Sequence, residues 1–324
     1  VNRSVADRLN GERQAVAPLV VVAIPDSLVA RRLYEERWDR PIWRGLSRLE
    51  SLMTVRKRQV LAFLLAQAAP AMAAPSAEPW PFWEKHEDAS RQGIDQGAWA
   101  GFLARYLRPG GETANRLAYG EVSAGDREGL RADLIRLTAL PISTYSRAEQ
   151  RAYWINLYNE LTVATVLAHM PVSSITKIDI SPGLFGFGPW DAKLIVVEGT
   201  KLSLNDIEHR ILRPIWRDPR THYAVNCASL GCPNLAAVPY SAAGMEAMLE
   251  KGARDYVNSP RGARVEDGQL VVSRIYDWYQ ADFGGSEAGV IAHLKRYARP
   301  ELAKQLEGIS RISKYDYDWA LNSP

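Results

Sequence analysis

Cysteine is nearly absent: two residues in 324. That is too few for a disulfide scaffold, and too few for a four-thiolate zinc or iron–sulfur site. No Gly-x-Gly-x-x-Gly or P-loop spacing occurs, so nothing signals a glycine loop that cradles phosphates. No apolar run reaches the ~20 residues that a membrane-spanning helix needs. Neither low-complexity linker nor internal repeat divides residues 80–324, a length that suits one domain. What remains is ordinary globular composition, with 47% hydrophobic and 24% charged residues.

The first quarter of the chain reads differently from the rest. Residues 53–73 have the order of a secretory signal. A basic stretch (Arg56, Lys57, Arg58) is followed by the apolar run Val60–Ala66, and Ala71 and Ala73 stand three residues and one residue before the cut. The expectation is an exported, periplasmic or secreted protein whose mature chain starts near Ala74. Residues 1–52 are then a mis-assigned upstream extension, with Val1 a literally translated GTG start. Residues 1–73 carry 12 of the 40 Lys+Arg and 7 of the 37 Asp+Glu. The remainder holds 28 basic against 30 acidic residues and no basic block interleaved with aromatics, so nucleic-acid binding has no electrostatic support. No stable membrane span is expected after cleavage.

Residues 74–94 read as a lead-in and 95–322 as the folded domain. Helical spacing places Trp99, Phe102, Leu103, Tyr106 and Leu107 on one face of a helix over 97–107. Leu130, Leu134 and Leu137 align on a second helix over 123–137. Ser146 with Glu149 forms a capping box that opens a third helix to about Ala168, before Pro171. Lys193–Val197 reads as a strand, and Ser203 with Asp206 opens a short helix that Pro214 stops. Thr221–Asn226 reads as a second, buried strand. A helix capped by Ser241 runs to Val257, and Asp267-Gly268 joins two strands as a hairpin. Helices near 287–297 and 301–306 and a last strand over 311–315 complete the chain. Helices packed around a small, mostly antiparallel sheet make the expected class α+β, in a single domain.

The densest chemistry lies in His222–Pro233. Cys227 follows the expected strand and precedes small residues, as an exposed nucleophile would. Two other readings stand beside that one: a Cys227–Cys232 disulfide closing a tight loop, and a packed free thiol. A nucleophilic Cys227 needs a base. His222 is five residues away, on the opposite face of a straight strand, whereas His209 can approach from its own helix beside Glu208. Arg213 is placed to bind an anionic substrate group, and Ser229 and the helix-three pair Asn156 and Asn159 are candidate substrate contacts. A zinc site from His209, His222, Cys227 and Cys232 lacks the close pair spacing of known modules, so no metal and no cofactor is expected.

Several of these stretches together resemble the domain of unknown function 547 family: Tyr153–Asn159, Ile207–His209 with Arg213-Pro214, His222–Ser229, Asp277–Phe283 and Tyr317–Asn322. The resemblance runs from about residue 95 to 322 and implies no settled activity. The function expected from the residues is thiol-dependent hydrolysis or acyl transfer at a Cys227–His209 site oriented by Glu208, acting on a small-molecule or peptide ligand. The alternative is a non-catalytic binding or structural domain with an oxidised Cys227–Cys232 pair.

Overall fold

The computed structural model describes residues 75–111, 113–183 and 187–324. The expected signal segment, its cleavage point and the stretch before it lie outside the described residues. Among those described there are eight α-helices and three small sheets, an α+β arrangement.

The N-terminal helix pair forms where its signals place it. Helix α1 spans Gly97–Tyr106 and α2 spans Ala124–Thr138, with the Ser123 side chain accepting from the Asp126 N–H. Strands β1 (Leu107–Arg108) and β2 (Arg116–Leu117) pair between them. Helix α3, Arg147–Ala168, begins at Ser146, whose hydroxyl accepts from the Glu149 N–H, while the Glu149 carboxylate accepts from the Ile94 N–H at 2.7 Å rather than closing a reciprocal box. Nearly every face of α3 is buried, which makes it the central spine rather than a surface helix. Trp154 and Ile155 pack in one core with Ile207, Ile211 and Leu212, while Val163 and Val166 pack in a second core with Trp99 and Phe102.

Beyond α3, β3 (Ile195–Val197) and β4 (Thr200–Leu202) form an antiparallel pair. The chain then winds as a π-helix over Asp206–Leu212 and continues without a break into α4, Arg213–Trp216. Pro214 therefore does not stop this helix. The proline lacks an N–H, and the wide turn shifts the register so that the Arg213 N–H reaches the Glu208 carbonyl. The carbonyls left over at His209 and Arg210 accept from the N–H groups of Glu78 and Trp80. The N-terminal segment thus supplies the partners that the helix cannot.

The expected strand over Thr221–Asn226 does not form. Pro219–Tyr223 is a 3-10 turn, capped by the Asp218 side chain accepting from the Arg220 N–H. The residues are buried as expected, but among the described residues no strand lies alongside to complete a ladder. A mixed stretch this short can be buried in more than one conformation.

A third core lies under the C-terminal part of the chain. It packs α5 (Met245–Val257) and α7 (Glu287–Tyr297) against the hairpin of β5 (Ala263–Glu266) and β6 (Gln269–Ser273). Asp267 and Gly268 have φ of +50° and +73°, the doubly left-handed turn that matches strand twist. Helices α6 (Ile275–Trp278) and α8 (Pro300–Gln305) flank this unit. Strand β7, Lys314–Asp316, adds to β6 in parallel, so this sheet is mixed.

Candidate functional site

Two clusters of reactive side chains lie close to α3. The first is the turn 226–233. Asn226 ties it off: its Nδ2 donates to the Pro233 carbonyl at 2.7 Å and its Oδ1 accepts from the Ala228 N–H at 2.8 Å. Ala228 sits at φ +60°, a left-handed conformation that a non-glycine residue adopts at a cost of ~1–3 kcal/mol. The chain bends back there, which brings Cys227 and Cys232 together. Their sulfurs are 2.7 Å apart, both thiols are free, and the Cys227 N–H donates to Cys232 Sγ at 2.9 Å.

Neighbouring groups hold this turn on every side. The Tyr256 hydroxyl donates to the Gly231 carbonyl at 2.6 Å, and Arg261 donates to the carbonyls of Leu230 and Cys232. The N–H groups of Leu230 and Gly231 donate to Ala320 and Asp318, both at 2.8 Å. A Cβ at position 231 would lie 2.7 Å from the Asp318 nitrogen, so only glycine permits this approach.

The thiols differ in setting. Cys232 is buried and Cys227 is partly exposed. Burial opposes charge on both. At Cys232, bonds from the Cys227 thiol, Tyr317 and the Cys227 N–H outweigh it and lower the thiol below its ordinary range. At Cys227, burial and the adjoining sulfur push the thiol well up. The pair therefore gives up one proton early and holds the second.

The second cluster contains both candidate histidines. The π-helix carries Glu208 and His209, and Arg213 follows on its continuation. The 3-10 turn carries His222, and residues just past α6 bring Tyr279 and Asp282. Arg213 Nε donates to Asp282 Oδ2 at 2.6 Å, and His222 Nε2 lies 2.7 Å from the same oxygen. Arg213 Nη1 lies 3.1 Å from His209 Nδ1; since a guanidinium only donates, Nδ1 is the acceptor. The same Nη1 donates to the Pro75 carbonyl at 2.7 Å. His222 Nδ1 is buried without a hydrogen bond, 3.6 Å from Glu208 Oε1. The Tyr279 ring stacks on His222 at 4.1 Å.

Charge in this cluster is internally compensated. Against the cost of burial, His209, His222 and Arg213 hold the Glu208 carboxyl down at about 2. Burial lowers His209 to about 4, so it is neutral near pH 7. Bonds from His222 and Arg213 outweigh burial at Asp282 and hold it far below the usual carboxylate range. An open cavity of about 320 Å³ reaches Arg213 and Asp282.

Placed on this geometry, the candidate residues separate. Cys227 and Ser229 meet, with Sγ and Oγ 3.2 Å apart. Glu208, His209, His222 and Arg213 form the second cluster, and no hydrogen bond joins either imidazole to Cys227 among the described residues. Asn156 and Asn159 are spent on backbone. Asn156 pairs with both the N–H and the carbonyl of Tyr240, each at 2.8 Å. Asn159 Nδ2 donates to the Ala224 carbonyl at 2.9 Å, and its Oδ1 accepts from the Asn226 N–H at 2.8 Å. The opposite-face objection to His222 falls, because no strand runs from 222 to 227.

Tyr279, Asp282 and Tyr317 were not identified from single residues as site members. They stand in the stretches 277–283 and 317–322, which were set apart only by the resemblance to the domain of unknown function 547 family. No group of three or more His, Cys, Asp or Glu side chains is arranged to hold a metal ion among the described residues. No helix there is long and apolar enough to cross a membrane. No curated protein and no solved structure gives a match to this chain. Residues 142–257, which hold both cysteines, both clustered histidines and the asparagine pair, match the family model described as "Protein of unknown function, DUF547".

Proposed function

We propose that this protein works through the Cys227–Cys232 thiol pair, by exchanging a disulfide with a small-molecule or peptide partner. The observation that carries the reading is the 2.7 Å approach of Cys227 Sγ to Cys232 Sγ, close enough for the pair to open and close as a disulfide, with Cys227 partly exposed and Cys232 buried. Cys227, the partly exposed residue of the two, is assigned the attack, and the buried Cys232 the resolving step. Cys227 passes its proton across the contact to Cys232, and the Cys227 thiolate attacks one sulfur of the partner disulfide. The other partner sulfur leaves as a thiolate and takes up that proton. Cys232, again a thiolate, attacks Cys227 Sγ, and the second partner sulfur leaves and is protonated from solvent. The pair ends as a disulfide and the partner as a dithiol, a transfer of two electrons.

Hydrolysis or acyl transfer at Cys227 is the weaker reading, because no imidazole hydrogen-bonds Cys227 among the described residues. His209 Nδ1 faces Arg213 and His222 Nε2 faces Asp282. The test is trapping. Reduced Cys232→Ser protein, mixed with 4,4′-dithiodipyridine or a peptide disulfide, should accumulate a mixed disulfide at Cys227, whereas the wild type should clear it and finish internally oxidised. Failure to trap, or ester hydrolysis lost in both Cys227→Ser and His209→Ala, would return the hydrolase reading.

Export fits this chemistry, since an oxidising compartment supplies disulfide partners. The support is the ordering of residues 53–73 as a signal. N-terminal sequencing of protein recovered from the envelope fraction or medium should begin at or near Ala74. Recovery there of chains still carrying residues 1–52 would refute it.

A further inference from the structure

We infer that Tyr317 is a catalytic residue of the thiol site: its phenol hydroxyl is the hydrogen-bond donor that receives the Cys227 thiolate. The inference builds on the thiol-pair reading, but its measurement does not need that reading to be right.

The Tyr317 hydroxyl lies 3.1 Å from Cys227 Sγ and 2.9 Å from Ser229 Oγ. Ser229 Oγ in turn lies 3.2 Å from the same sulfur. Three groups close a ring, and only the two hydroxyls can keep their protons when the sulfur loses its own. Burial pushes the Tyr317 phenol well up, with the two thiols adding to the effect, so it stays an O–H donor across the working range. While Cys227 is a thiol, the hydroxyls partly satisfy one another. Once it is a thiolate, both can turn toward sulfur. The donor is therefore worth more to the thiolate than to the thiol, and that difference acidifies a nucleophile or eases a leaving group.

The backbone shows that this placement is built. Tyr317 directly follows β7, whose pairing with β6 fixes where the chain emerges. Residues 318–322 then run along the thiol turn. Asp318 and Ala320 accept from the N–H groups of Gly231 and Leu230, and the Asn322 N–H donates to the Ala228 carbonyl at 3.0 Å. The Tyr317 ring is gripped by Trp319 at 4.6 Å and Trp278 at 4.9 Å. A ring packed between two tilted indoles with its hydroxyl on sulfur has little freedom to point elsewhere. The thiol site is thus completed by a segment 60 residues beyond the end of the family match at 257.

The test is the pH profile of alkylation at Cys227, read site by site by mass spectrometry on the full chain with iodoacetamide. Tyr119, Tyr158, Tyr256, Tyr279 and Arg261, which also sense the pair, are unchanged in the variant, and Cys232, which the Tyr317 hydroxyl also lowers, is read in the same experiment. Tyr317→Phe keeps the ring packing and removes only the hydroxyl. It should move the Cys227 midpoint up by about 1 pH unit, ~tenfold in thiolate at a fixed acidic pH. Tyr276→Phe removes a buried phenol hydroxyl that bonds Tyr223 and no sulfur, and should leave the profile alone. If Tyr317→Phe fails to fold, site-specific fluorotyrosine at 317, a stronger donor, should move the midpoint down. An unmoved profile in the Tyr317 variant, or equal shifts at 317 and 276, overturns the inference. A shifted profile in a protein that traps no mixed disulfide would leave Tyr317 as the donor and defeat the exchange reading alone.

Discussion

Replacing Asn159 by alanine should destabilise the protein by ~2–4 kcal/mol, among the larger effects expected of one polar substitution. Asn159 lies on α3 with 2% of its surface exposed. Its amide completes the hydrogen bonding of a chain segment that has no strand beside it, at the Ala224 carbonyl and the Asn226 N–H. Alanine leaves both backbone groups buried and unpaired, at about 1–3 kcal/mol for each orphan. Aspartate is a sharper probe than alanine, because a carboxylate accepts from Asn226 but cannot donate to Ala224. Denaturant unfolding should show a lower midpoint with an unchanged slope. The thiol turn hangs from Asn226, so both cysteines should also alkylate faster in Asn159→Ala. A loss under about 0.5 kcal/mol would mean that water or a shifted backbone replaces the amide.

The same bonds explain which parts of the structure could be read from the sequence. Helix α3, its N-cap at Ser146 and the turn at Asp267-Gly268 depend on residues within four positions of one another, and they form where the spacing places them. The segment 221–226 failed because its backbone partner is a side chain 65 residues away, and composition gives no hint of that. The helix through Pro214 was missed for a related reason: its freed carbonyls are capped by residues 78 and 80. The site divides in the same way. Cys227, Ser229, His209, Glu208, His222 and Arg213 announce themselves by type and local company. Asp282 and Tyr317 do not, since each acts only after the C-terminal third folds back. Pairing Cys227 with His209 rested on that histidine approaching from a separate helix, and the fold instead turns His209 Nδ1 to Arg213 and His222 Nε2 to Asp282.

Glu160 should make the protein less stable as pH rises, and Glu160→Gln should remove that dependence. The side chain sits on α3 fully buried, and neither carboxyl oxygen has a hydrogen-bond partner. Burial first, then the Asp133 carboxylate, push its carboxyl well above the ordinary value of 4.5; Arg136 opposes this but donates to Asp133. The folded state therefore keeps Glu160 protonated where the unfolded chain has already released the proton. For an acid shifted upward, stability is undisturbed below the unfolded value. Above 4.5 it falls by up to about 1.4 kcal/mol per pH unit, and the fall ends once pH passes the folded value. Glutamine mimics the protonated acid in shape and cannot ionise. The variant should match the wild type near pH 4 and gain on it steadily toward neutrality, in urea melts at each pH. Glu160→Met adds a second comparison, because it also removes the two oxygens that have no partner, and it should exceed glutamine at every pH. Parallel stability curves for wild type and Glu160→Gln would mean that the carboxyl finds a partner or water and ionises in place.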